Sequence, residues 1–213
     1  MAGGVEDDVG FAMSSGNAID QVAQGQLFLD LVLRNRFNRT ILDRFSDLGI
    51  DDWWLTAGCL AQSIWNILAN RPVEDRIDDY DLFYFDADIR WNAEDKVIAR
   101  VADLFSDLPI RIEIRNQARV PIWYRKKFDI EYGDVSAACE GIDRFAYRTT
   151  AIGLRKLHDE YRIYAPFGLE AVLEGTIIPN PVLPLRDVYV AKVIRWRKNW
   201  PCLKVMPWPD NPE

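Results

Sequence analysis

Asp79-Tyr80-Asp81 places two carboxylates one residue apart in a run, Asp79 to Phe85, whose aromatic content reads as a strand. Side chains on a strand repeat every second residue, so Asp79 and Asp81 share a face. Their Cα atoms then lie about 6.6 Å apart, at a rise of about 3.3 Å per residue. Carboxylates this close repel unless something cationic sits between them. They suit a pair of Mg²⁺ ions of the kind that assist phosphoryl and nucleotidyl transfer. A solvated acidic strand end, continuing the charged run of Glu74, Asp75 and Asp78, has the same composition.

A second element lies upstream. Trp53 to Ala57 (WWLTA) reads as a short buried strand, and Gly58 then opens a helical pattern with Leu60, Ile64, Ile67 and Leu68 in register. The Gly58-Cys59 turn between them lets backbone N–H groups approach a ligand, and the helix N-terminus adds the positive end of a dipole. Such a turn can cradle a triphosphate, and it also serves as a plain strand-to-helix connection. A third element lies downstream. Ile110 to Ile114 alternates strictly, with Ile110, Ile112 and Ile114 on one face and Arg111 and Glu113 on the other. If this strand lies beside the Asp-Tyr-Asp strand, Glu113 supplies a third carboxylate able to help deprotonate an acceptor hydroxyl. Otherwise it forms an ordinary cross-strand ion pair with Arg111 or Arg115.

The elements that must hold these groups follow from periodicity. A helical pattern spans about Ala18 to Leu48, with a break expected at Asn38 to Thr40 and a stop at Gly49. Arg71 to Asp78 is a polar loop containing Pro72. A helix capped by Asn92 carries Val97, Ile98, Val101 and Leu104, and Pro109 follows it. Residues 117–147 show no clear period. Thr149 to Leu157 and Tyr161 to Ala165 read as a hairpin turning around His158 to Glu160, and Pro166-Phe167-Gly168 opens a short helix through Leu173. A last helix runs from about Leu185 to Trp200, with Leu185, Tyr189, Val193, Trp196 and Trp200 along one side. This order defines an α+β (mixed α/β) fold, a mixed sheet flanked by helices, with further helices at both ends of the chain. The length, 213 residues, fits one domain over 18–205, with a loose segment 1–17 before it and a tail 206–213 after it.

Charge and cysteine content narrow the partners. Lys and Arg number 26 against 33 Asp and Glu, a net charge of −7, which argues against holding bulk nucleic acid through counterion release. A nucleotide needs only a local cluster of donors or a metal, so it stays open. The three cysteines, Cys59, Cys139 and Cys202, have no CxxC spacing, and His158 is the only imidazole, so a structural zinc site is not expected. Free thiols in a reducing cytoplasm are expected, with neither a signal peptide nor a membrane span. Cys59 is expected as a small buried side chain, and His158 in a turn offers no nucleophile mechanism.

Strand, Gly-small turn, helix, D-x-D on the next strand and an acid on a later strand together resemble the DNA-polymerase-β-type nucleotidyltransferase superfamily. More closely, the chain resembles a bacterial family of nucleotidyltransferase-like proteins of unassigned substrate. The stretches that carry the likeness are Ala57–Asn66 (AGCLAQSIWN), Asp79–Asp86 (DYDLFYFD), Asn116–Arg119 (NQAR), Ala165–Leu169 (APFGL) and Ile178–Pro181 (IPNP), within roughly residues 50–205. Gly58-Cys59 stands where the superfamily has Gly-Gly or Gly-Ser, and Ala61-Gln62 where Arg-Asn is common. The resemblance implies a nucleotidyl transfer with Mg²⁺ (or Mn²⁺) and an NTP as substrate. Asp79, Asp81 and Glu113 would be catalytic and metal-binding, and Gly58, Cys59, Asn116, Gln117 and Arg119 nucleotide-binding. Arg119 could neutralise phosphate charge, and the two amides could orient sugar or base, or all three could cap loops. Lys192, Arg195 and Asn199 share one side of the last helix, which could face a phosphate tail or solvent. The net acidity favours a small-molecule or protein acceptor. A silent nucleotide-binding regulatory protein and a metal-dependent phosphohydrolase are the rival readings of the same residues.

Overall fold

The computed structural model describes residues 18–210, so the expected loose segment 1–17 and positions 211–213 of the expected tail lie outside it. The helical N-terminal region divides into α1 (Ala18–Val32), α2 (Arg36–Arg44) and a 3₁₀ turn (Phe45–Leu48) that stops at Gly49. The break falls at Asn35, not at Asn38 to Thr40. Asn35 Oδ1 accepts from the backbone N–H of Phe37 and Asn38 at 2.9 and 3.3 Å, which caps α2. Its Nδ2 donates to Ser63 Oγ and to the Tyr80 hydroxyl at 3.0 and 3.1 Å. Asn38 instead continues the helix and donates through Nδ2 to the carbonyl of Val32.

The sheet begins with β1 (Trp53–Thr56), buried along its whole length, followed by α3 (Gly58–Leu68). Next comes β2 (Tyr80–Tyr84), whose positions alternate between buried and half-buried. Tyr80, Leu82 and Tyr84 face the main core, while Asp81 and Phe83 face the opposite side. A crossover through α4 (Trp91–Leu104) returns the chain as β3 (Ile112–Asn116), parallel to β2. β3 starts two positions later than the alternation of isoleucines indicates, because Ile110 stays in the connection that follows Pro109.

The stretch without a clear period holds α5 (Val120–Phe128) and α6 (Cys139–Asp143). β4 (Gly153–Leu157) and β5 (Glu160–Tyr164) form the expected hairpin, with His158 in the turn at φ +54°. The order across the sheet is β3-β2-β1-β4-β5, mixed as expected. After α7 (Glu170–Leu173), a small parallel pair joins β6 (Thr176–Ile177) to β7 (Lys204–Val205), on either side of α8 (Arg186–Asn199).

All five apolar positions expected along the last helical segment are buried. Trp65 of α3 packs edge-on against Trp196 and Trp200, with ring centroids 5.1 and 5.7 Å away, and Trp200 Nε1 donates to Asn66 Oδ1 at 2.8 Å. Aromatic pairs of this kind add about 0.5–1.5 kcal/mol each beyond their buried area. They fix α8 on α3, and so bring a C-terminal helix to the β1–α3 turn. Among the described residues no helix is long and apolar enough to cross a membrane, and the three cysteines are free.

Candidate active site

Register brings the acids together. Asp81 of β2 lies directly opposite Glu113 of β3 and, on its other side, opposite Thr56 of β1. The strand order thus delivers the adjacency that Glu113 requires. Asp79 immediately precedes β2 and shares the exposed phase of the alternation with Asp81. Burial, with the like charges of Asp79 and Glu113, lifts the Asp81 carboxyl to about 7, against the pull of Lys192 and Arg111. The arginines answer part of this charge. Arg111 Nη2 donates to Asp79 Oδ2 at 2.8 Å, and its Nε lies 3.5 Å from Glu113 Oε1. Arg115 sits 3.7 Å from the other oxygen of Glu113.

Both Asp81 and Glu113 line a cavity of about 460 Å³. Its walls carry four cations, Arg115, Lys127, Arg144 and Lys192, and the rings of Phe83, Trp123, Tyr124, Tyr132, Phe145 and Tyr147. Two carboxylates face four cations in a chain that is acidic overall, so the cavity gathers both signs of charge on one wall and can take an anion together with a cation. Much of this wall comes from residues 117–147, where periodicity gave no guide. The signal available was compositional: Arg125-Lys126-Lys127 follows Trp123-Tyr124 within α5.

Gly58 opens α3 and Ala57 lines the cavity beside Asp81, so the turn does reach the site. Cys59 turns its side chain inward. It is fully buried, its thiol donates to the Thr56 carbonyl, and burial with the nearby Asp81 and Asp79 raises its pKa well above the ordinary thiol value. What Cys59 can offer a ligand is its backbone N–H, one of those left unpaired in the first turn of a helix. The residue with unusual backbone geometry is Ala57, at φ +58° and ψ −119°, a corner of the map where glycine is favoured. The expected result for Ala57→Gly is a higher urea midpoint. Relief of about 1–3 kcal/mol of strain outweighs the roughly 0.5–1 kcal/mol entropic cost of a glycine. A lower midpoint would mean that the Ala57 methyl makes packing contacts worth more than the strain.

The NQAR segment divides. Gln117 lines the cavity, nearly fully buried, with Nε2 donating to the Arg115 carbonyl and Oε1 without a partner. It packs so tightly on Gly141 that any Cβ there would collide with its amide. Asn116 and Arg119 lie elsewhere and have structural partners. Asn116 Oδ1 accepts from the backbone N–H of Asp86 and Ala118, and Nδ2 donates to the Asp86 carbonyl, which pins the loop after β2. Arg119 is buried, donates to the Ile89 carbonyl at 2.7 Å, and lies over the Trp91 ring. Its Nε is 2.8 Å from Glu94 Oε2, although the N–H is not aimed at that oxygen, so this contact is an ion pair rather than a hydrogen bond.

On α8, Lys192 is half-buried at the cavity, Arg195 is exposed, and Asn199 accepts from Arg76. Burial pulls the Lys192 pKa down, against the attraction of Asp81 and Asp79. Among the described residues no three His, Cys, Asp or Glu side chains are already gathered as a metal site. The donor set nevertheless fits Mg²⁺ or Mn²⁺, because it consists of carboxylate oxygens on one sheet face that carry excess negative charge. The Arg111 side chain that bridges Asp79 and Glu113 is 61% exposed, so it is free to withdraw.

A structure solved by NMR and reported to reveal a CCA-adding enzyme head domain superposes with a TM-score of 0.70. It is 24% identical, and the match covers 86% of this chain and 96% of that one. The family model described as nucleotidyltransferase matches residues 43–205, and the chain belongs to that family. No curated protein matches it in sequence.

Proposed function

We propose that the chain is a Mg²⁺- (or Mn²⁺-) dependent nucleotidyltransferase that moves a nucleoside monophosphate from an NTP to the hydroxyl of a small-molecule or protein acceptor. The observation that carries this reading is the register pairing of Asp81 with Glu113 on a cavity rich in cations and aromatic rings, in a chain of this family. Asp79 and Asp81 hold the metal, and Glu113 completes the set and takes the proton of the acceptor hydroxyl. Bound Mg²⁺ supplies charge neutralisation on the triphosphate and a lowered pKa for the attacking hydroxyl. The backbone N–H groups of Gly58 and Cys59 seat phosphate oxygens at the start of α3, and the Gln117 amide orients sugar or base. The acceptor oxygen bonds to the α-phosphorus as the bond to the bridging oxygen breaks, and pyrophosphate leaves.

One observation favours a silent nucleotide-binding protein: Arg111 occupies both Asp79 and Glu113. An assay with α-labelled NTP, Mg²⁺ and a panel of hydroxyl acceptors separates the readings. Label in an acceptor with equimolar pyrophosphate is the expected result. Nucleoside monophosphate released without an acceptor would point to a phosphohydrolase, and binding without either product to the silent protein.

A further inference from the structure

We propose that Lys192 grips the polyphosphate of the nucleotide, so that this site selects triphosphates over monophosphates; the inference rests on the nucleotide-binding reading above. Lys192 projects from the middle of α8 into the cavity that Asp81 and Glu113 line. Its ammonium lies 5.3 Å from the Trp196 ring centroid and 5.8 Å from that of Tyr147. No carboxylate comes within ion-pair distance of it among the described residues, and none of its three N–H donors has a hydrogen-bond partner there. Asp81 exerts a favourable field on it but does not contact it.

The half-buried position strips part of the ammonium's hydration, and the rings of Trp196 and Tyr147 replace only some of it. A phosphate oxygen in the cavity offsets that loss and uses donors that are already aimed and partly desolvated. The other cations of the cavity are differently committed. Arg144 donates to the carbonyls of Tyr132, Glu140 and Asp134, and Arg115 pairs with Glu113. Lys127 is exposed and lies over the rings of Trp123 and Phe128. Lys192 is therefore the cation that combines burial, lack of an anionic partner and shared lining with the acids. The aromatic packing of Trp65 on Trp196 fixes the helix that carries it.

The test compares the wild type with Lys192→Met and Lys192→Arg, titrated with Mg²⁺ and each NTP, with the matching NMP, and with inorganic tripolyphosphate as competitor. Lys192→Met is expected to weaken NTP binding about 10- to 100-fold, as loss of a charge-assisted hydrogen bond does. NMP binding is expected to stay within about twofold, and competition by tripolyphosphate to disappear, while Lys192→Arg retains most of the NTP affinity. Equal NTP affinity in the wild type and Lys192→Met, or equal losses for NTP and NMP, would overturn the assignment. If Lys192→Met does not fold, Lys192→Gln makes the same comparison, and NTP affinity equal to that of the wild type in Lys192→Gln would overturn the assignment. Failure of the wild type to bind any NTP would instead remove the nucleotide reading on which the inference stands.

Discussion

Asp81→Asn is expected to lower Mg²⁺-dependent nucleotidyl transfer on the order of 10³-fold or more while leaving the fold at least as stable. The activity loss follows from removing a metal-holding carboxylate, since the bound ion supplies several kcal/mol of charge stabilisation in the transition state. The stability gain follows from the environment of Asp81. Burial, and then Asp79 and Glu113, raise its folded pKa to about 7, above the ordinary 3.8. The folded state therefore binds this proton more tightly than the unfolded state does. Between roughly pH 4 and 7 its contribution to stability falls as pH rises, and above 7 the full penalty persists. In EDTA at pH 8, Asp81→Asn should melt above the wild type, and the gap should close toward pH 5. Adding Mg²⁺ should raise the wild-type melting temperature and leave that of the variant unmoved. A variant that melts below the wild type at pH 8 would show that Asp81 has a structural partner.

The largest loss of stability is expected at the other end of the same strands. Glu94 and Arg119 are both buried, their side chains each 9% exposed, and they pair at 2.8 Å. Glu94 Oε1 also accepts from the backbone N–H of Asn116 at 2.9 Å, so this pair anchors α4 to the end of β3. Glu94→Gln strands a buried guanidinium and Arg119→Met a buried carboxylate. Each should cost about 3–5 kcal/mol in denaturant unfolding. The double variant should lose markedly less than the sum, because each single change leaves a charge that the double does not. NTP affinity per folded molecule should stay unchanged in Arg119→Met. A large affinity loss with little loss of stability would return Arg119 to the nucleotide site.

Arg119 shows where sequence reading reached its end. The spacing of NQAR after a strand located the right end of the sheet. A run of four residues, however, turns around the β3–α5 junction, so its side chains scatter to different neighbours. Gln117 faces the cavity, while Asn116 and Arg119 face the loop after β2 and α4. Those partners, Asp86, Ile89 and Glu94, are about thirty residues away and carry no local signal. The aromatic content of Asp79 to Phe85, by contrast, is a local pattern, and it gave the strand, whose two-residue period put Asp79 and Asp81 on one face. The α8 side of Leu185, Tyr189, Val193, Trp196 and Trp200 was legible for the same reason. The strained residue of the turn left no mark in the sequence. Glycine draws the eye to Gly58, while the left-handed backbone belongs to Ala57, whose small side chain the turn tolerates at a cost. The cavity wall from α5 and α6 was illegible because neither helix is long enough to show a period against its mixed surroundings.

The central claim, a metal-dependent nucleotide site on Asp79 and Asp81, is tested most directly by calorimetric titration of NTP into the wild type and Asp79→Asn/Asp81→Asn. Each titration is run with Mg²⁺ and with EDTA. Saturable NTP binding by the wild type in Mg²⁺, at least about tenfold weaker binding in EDTA, and no metal response in the double variant are the expected results. NTP binding of equal strength with Mg²⁺ and EDTA, or a metal response that survives in a folded double variant, would contradict the claim.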